Sequence, residues 1–191
     1  MKLRFLKLML LLFILPLQML AAELGEAGKL LAALPGVSDV ETLKSTHFPE
    51  KYVFFIKQQL DAKDASKGSF EQRVILCHRG FDRPTVLVTE GYNAKYALRE
   101  GYIEELSKLF DTNIITVEYR YFDKSMPSPC NWDYLTVENS LYDLHHVNQT
   151  CMRCTRASGL PRVSARADRP RCFTALTSRM MWIFPCHTWR R

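Results

Sequence analysis

Apolar positions follow three rhythms along this chain, and each rhythm predicts a different element. Over residues 23–36, Leu30, Leu31 and Leu34 recur at helical spacing and Pro35-Gly36 supplies a stop, so a short helix leads in. Residues 52–60 and 69–77 have strand character, and the polar, turn-rich stretch 61–68 between them suits a hairpin. Two further strands are predicted at 85–89 and 113–119, where Val86-Leu87-Val88 and Ile114-Ile115-Thr116-Val117 are nearly continuous apolar runs. Strands covered on both faces need that composition, which makes these two parallel-sheet strands.

Between them, residues 94–110 carry Tyr102, Ile103, Leu106, Leu109 and Phe110 on one helical stripe, completing a strand–helix–strand unit. After a proline-bearing loop, Thr136 is placed to cap a second helix, with Glu138 at its positive end and Val137, Leu141 and Leu144 as its buried stripe. A hairpin followed by alternating strands and helices is an α/β pattern, and it stops halfway through a sheet.

The pattern ends near residue 150, and composition changes at the same point. Residues 151–191 hold nine arginines, no lysine and one acid, Asp168, whereas residues 1–150 hold eleven lysines and six arginines. That tail alone carries +8, which leaves −2 of the whole-chain +6 for the remainder. The basic balance therefore belongs to the tail and gives no ground for a nucleic-acid partner.

At the other end, Met1-Lys2-Leu3-Arg4-Phe5-Leu6-Lys7, an apolar run over 8–17 and Ala21-Ala22 are the parts of a secretory signal peptide over 1–22. The run is shorter than the ~20 residues of a membrane span. A secreted or periplasmic chain without stable membrane association is the expectation. Only Cys77 and Cys130 precede the tail, and a disulfide between them and two unpaired thiols are equally open.

Several segments, in one order, resemble a known family. Phe70-Glu71-Gln72-Arg73, then His78-Arg79-Gly80-Phe81-Asp82-Arg83-Pro84-Thr85-Val86-Leu87-Val88-Thr89-Glu90-Gly91-Tyr92, are similar to the secreted tripeptidyl aminopeptidases. The likeness continues through Val117-Glu118-Tyr119-Arg120-Tyr121-Phe122-Asp123 and Trp132-Asp133-Tyr134-Leu135-Thr136-Val137-Glu138-Asn139, segments that also resemble the prolyl carboxypeptidases. The resemblance implies the N-terminal portion of an α/β-hydrolase fold, a peptide substrate, a Ser–His–Asp triad and no cofactor or metal. It also implies a nucleophile in a Gly-x-Ser-x-Gly turn between a strand and a helix. One oxyanion donor would then come from the loop holding Gly91, Tyr92 and Asn93, where glycine allows close backbone approach. Glu118 and Arg120 end a strand beside that loop, as structural polar contacts or as substrate-side groups.

No Gly-x-Ser-x-Gly follows residue 149, so the chain is expected to be truncated before its nucleophile elbow, with no catalytic residue of its own. A shifted reading frame accounts for the loss. Met180-Met181-Trp182 has a single coding, which in the shifted frame contains Asp-Val, and permitted codons for 156–169 can give Gly-Lys-Trp-Leu and then Thr-Gly-Ile-Ser-Lys-Gly-Gly. The expected organisation is a signal peptide at 1–22, a partial peptidase domain at 23–150 and an out-of-frame tail at 151–191. On this reading the apolar strands at 86–88 and 114–117 are left with unpaired edges or uncovered faces. The rival expectation is a secreted binding or structural fragment that works without chemistry. Cys151, Cys154, Cys172, Cys186 and His187 lack the spacing of a zinc site.

Overall fold

The computed structural model describes residues 24–90, 92–153 and 155, and the backbone of 180–183. The expected signal peptide and most of the arginine-rich tail lie outside these residues. The described elements are α1 (Glu26–Ala32), β1 (Val37–Thr42), β2 (Glu50–Gln59), β3 (Ser69–His78), β4 (Thr85–Val88), α2 (Glu105–Phe110), β5 (Asn113–Val117), α3 (Val137–Cys151) and β6 (Met180–Ile183). The strands form one mixed sheet in the order β1-β2-β3-β5-β4-β6. β1, β2 and β3 run antiparallel, β3 meets β5 antiparallel, and β5, β4 and β6 run parallel.

The hairpin forms as the sequence predicts, with β2 and β3 in unbroken register from Glu50↔His78 to Gln59↔Ser69. Asp64 Oδ1 accepts the Ser66 N–H at 2.9 Å, and Gly68 closes the turn at φ +110°, which its missing Cβ permits. Every residue of β4 and β5 is buried, as continuous apolar runs require. Alternation then divides the core in two. Phe54, Val74, Leu76, Leu87 and Ile115 pack with Leu31 of α1 and Leu144 and Val147 of α3, while Ile75, Cys77, Val86 and Ile114 face Ala94 and Ala97.

The structure corrects several expectations. β1 has too little apolar content to announce itself: it is a half-exposed edge strand broken by a bulge between Ser38 and Glu41. Residues 94–110 do not form one helix, because Arg99 turns extended and Gly101 follows; a 3-10 turn at Lys95–Leu98 is separated from the six-residue α2, and Leu109 and Phe110 are exposed. Cys77 is a free thiol in the core, its pKa pushed up to about 12 by burial, and Cys130 is free and exposed, so the two do not pair. Neither β4 nor β5 has a bare edge: β5 lies between β3 and β4, and Met180–Ile183 pairs along the outer edge of β4.

Thr136 does cap α3, accepting the Asn139 N–H at 3.2 Å. The helix nonetheless buries another face. Val137 is 77% and Leu141 54% exposed, whereas Asn139, Asp143, Leu144 and Val147 are buried. Polar groups on the sheet cause this rotation. Gln58 Nε2 donates to Gln72 Oε1 at 2.8 Å and to the Asp143 carbonyl at 3.2 Å, and its Oε1 meets His146 Nδ1 at 2.8 Å. Asn148-Gln149-Thr150 has the Asn-x-Thr form of a glycosylation acceptor, and Asn148 sits within α3 with its Oδ1 buried.

Arg120 fixes the helix. Its Nε and Nη2 each donate at 2.7 Å to the two Asp143 oxygens, a fork matched to a carboxylate. Burial raises the Asp143 carboxyl and the Arg120 hydrogen bonds oppose it, leaving it at about 6. Removing one partner of a buried pair strands the other. Asp143→Ala is therefore expected to cost about 3–5 kcal/mol, a large part of a small domain's stability. Urea titration reads this as a lower midpoint, and a loss under about 1 kcal/mol would reduce the pair to the level of a surface ion pair.

Candidate active site

In open α/β sheets, ligands bind beyond the carboxyl ends of parallel strands where the connections diverge. Here β5 and β6 lie on opposite sides of β4, so the chain after β4 goes one way and the chain after β5 returns the other. The loop 89–94 leaves the carboxyl end of β4 at that point. Two hydrogen bonds tie it to the end of β5: Tyr119 N–H donates to the Tyr92 carbonyl at 3.2 Å, and Ala94 N–H donates to Glu118 Oε2 at 3.2 Å. Asn93 Oδ1 accepts the Lys95 N–H at 3.2 Å, and the exposed Tyr92 ring meets Phe122 edge-on at 5.8 Å. Among the described residues, the backbone N–H groups of Tyr92 and Asn93 have no partner. Gly91 lies outside the described residues.

Glu118 is fully buried and all of its acceptor capacity is used. Besides Ala94, its carboxylate accepts from the Lys124 N–H at 3.1 Å, from the Ser125 hydroxyl at 3.0 Å and from the Arg73 guanidinium. Arg73 Nη2 also reaches Asp123 at 2.7 Å, and Lys95 meets the other Asp123 oxygen at 2.9 Å. Lys95 above all holds the Asp123 carboxyl below the usual carboxylate range; burial opposes it, and Arg73 adds to the lowering. The turn that carries Asp123 is strained, with positive φ at Tyr121 (69°) and Asp123 (37°). It is closed by Ser125 N–H to the Phe122 carbonyl at 2.7 Å and Tyr121 N–H to the Ser125 carbonyl at 2.9 Å.

Of the two residues expected beside the loop, Arg120 turns inward. Beyond Asp143, its Nη1 donates to the carbonyls of Leu60 and Tyr134 at 2.9 and 3.0 Å, and its Nη2 to that of Gln59 at 3.2 Å. All five donors are occupied and the side chain is fully buried, so it has none to offer a ligand. Glu118 is equally enclosed but grips the loop backbone. Sequence reasoning missed Arg73 as its charged partner, and Asp123 and Lys95 as the groups that continue the network from Arg73. The available signal was Arg73 inside an apolar strand, since a buried charge must be paired.

Among the described residues, no serine hydroxyl is hydrogen-bonded to a histidine ring. Ser125 is spent on Glu118, His146 on Gln58, and His78 lies at the opposite end of the sheet, because Cys77 pairs with Ile114 at the start of β5. Burial lowers the pKa of both histidines. Among the described residues, no three His, Cys, Asp or Glu side chains converge as metal ligands, and no helix is long and apolar enough to cross a membrane. A groove of about 420 Å³ lined by Tyr119, Leu135, Val137, Leu141 and Leu144 opens next to the loop.

Residues 25–156 match the PS-10 peptidase S37 family. The chain is also 34% identical, over 116 residues, to the prolyl tri/tetrapeptidyl aminopeptidase of Streptomyces mobaraensis. Those residues make up 61% of this chain and 24% of that relative, so the match spans about a quarter of the relative's length. Because the family match runs through every element from α1 to α3, this chain belongs to the PS-10 peptidase S37 family.

Proposed function

We propose that this chain is the first part of an exported serine exopeptidase of the α/β-hydrolase type, which removes short peptides from free N-termini, and that the polypeptide itself is catalytically silent. The observation that carries the reading is the loop 89–94: it sits at the carboxyl end of the parallel strand β4, with the Tyr92 and Asn93 N–H groups unpaired among the described residues. Such preset donors are what an oxyanion hole requires. The name of the Streptomyces relative supports a tri- or tetrapeptidyl substrate class, and membership of the family supports peptide hydrolysis.

Silence follows from the missing nucleophile turn, since losing the serine also removes the N–H that follows it from the oxyanion hole. A lost base near the codons for Gln149 and Thr150 accounts for the tail. The purified chain is expected to leave chromogenic tripeptides intact. Where the downstream frame is open and supplies the Asp and His, restoring one base there should yield a product that hydrolyses them and stops doing so when the serine of the recovered Gly-Ile-Ser-Lys-Gly turn becomes alanine. Turnover by the chain as written, blocked by a serine-directed inhibitor, would defeat the proposal; so would equal activity of the repaired protein and its alanine variant.

Glu118 is proposed to keep the oxyanion loop in place rather than to touch substrate. Glu118→Gln turns an amide NH₂ toward buried donors and leaves some of them unsatisfied, a cost of about 1–3 kcal/mol. Amide exchange should show the Ala94 N–H losing protection while that of Leu76, deep in β3, keeps it. Unchanged protection at Ala94 would separate the loop from Glu118.

A further inference from the structure

We propose that the outer edge of β4 is a strand-docking site, selective for one extended apolar segment in parallel alignment, and that Met180–Ile183 of the same chain is its separable occupant. The inner edge of β4 is paired with β5 from Thr85↔Asn113 to Val88↔Thr116, and the outer edge with β6 from Thr85↔Met180 to Val88↔Ile183. Peptide groups along a strand point alternately to its two edges. Without β6, those of β4 that face outward would lose their partners in a strand whose side chains are all buried.

Separability follows from topology. β1 to β5 come from the continuous stretch 37–117, and each has its partners there, whereas β6 pairs with β4 alone among the described strands. Residues 152–179 intervene between α3 and β6, enough for the crossover that a parallel strand needs. β6 is therefore an addition to a sheet assembled without it.

Selectivity follows from the neighbours of β4. Leu87 belongs to the core under α3 and Val86 and Val88 to the core on the other face, so a strand beside them borders apolar surroundings on both faces. Met180-Met181-Trp182-Ile183 contains no polar residue. Pro84, which lacks an N–H, precedes β4, and the loop 89–94 follows it, so the site accepts about four residues. The arrangement is β-strand addition within one chain.

Residue-resolved amide exchange on the full chain tests the proposal. Val86, Leu87 and Val88 should all be protected, because their amides alternate between β5 and β6. Met181→Pro and Trp182→Pro each delete one N–H, and only one of the two N–H groups can face β4. One variant should lose protection at the outward β4 amides while Leu76 and Ile115 keep theirs, and the other should stay close to the unmodified chain. A labelled peptide with the sequence of residues 179–184 should bind the undocked variant and not the unmodified chain. Freely exchanging outward amides in the unmodified chain would overturn the proposal, as would two proline variants that both behave like it or both lose protection at Leu76. A peptide that binds both proteins equally, or neither, would also overturn it. A dimer whose outward protection vanishes on dilution would assign the edge to a second copy and refute occupancy by the chain's own segment.

Discussion

A guanidinium shut away from water must find an acceptor for each of five N–H groups, and at Arg120 that demand organises the chain around it. The carbonyls of Gln59 and Leu60 bring the end of β2, the carbonyl of Tyr134 brings the entry to α3, and Asp143 brings the helix itself. The charge is also stacked 5.1 Å from the centre of the Phe70 ring, which couples it to β3. Three separate stretches are thereby held to the residue that follows β5. An apolar side chain at 120 could have filled the same volume, but it would have left three carbonyls and a carboxylate without donors.

Glu118 does for the loops what Arg120 does for the helix. Two residues apart just beyond β5, they turn different ways: Arg120 gathers carbonyls and Asp143 under α3, whereas Glu118 gathers N–H groups beside Arg73 and Ala94. Arg73 neutralises the buried carboxylate, and Asp123 and Lys95 carry the charge balance outward to solvent. The result is a loop whose direction is set from below by a polar network instead of by its own sequence. Residues 92–94 are held from outside, by the hydrogen bonds from Tyr119 N–H to the Tyr92 carbonyl and from Ala94 N–H to Glu118.

Legibility varied with the physical cause. The hairpin, β4, β5 and the Thr136 cap could be read from the chain because apolar continuity and local turn chemistry determine them. Residues 94–110 could not, because the apolar stripe that predicts a long helix includes Tyr102, whose hydroxyl is committed to Glu104 and Thr116 across the interior. The buried face of α3 was misread for a related reason: Asn139 and Asp143 look like surface residues until Arg120 and Gln58 are set beside them. At the site, a loop after the buried strand β4 was legible from the apolar run that precedes it, while Arg73, the cation that pairs with Glu118, lies 45 residues before it and gives no contiguous signal. β6 was illegible for another reason. It comes from a stretch whose composition argued against any structure.

The clasp at Arg120 also has a direction in time. Its partners are spread from residue 59 to residue 143, so a ribosome must deliver nearly all of the matched region before α3 can dock and the charge can be enclosed. Until Asp143 emerges, Arg120 can only remain hydrated, and the sheet face beneath α3 stays open. The same geometry decides how a shift of frame would be felt. Placed at the codons for Gln149 and Thr150, it falls after the last member of the clasp and lets the enclosure form; placed before Asp143, it would bury a cation with no counter-charge, and quality control would meet an unfolded chain instead of a silent one.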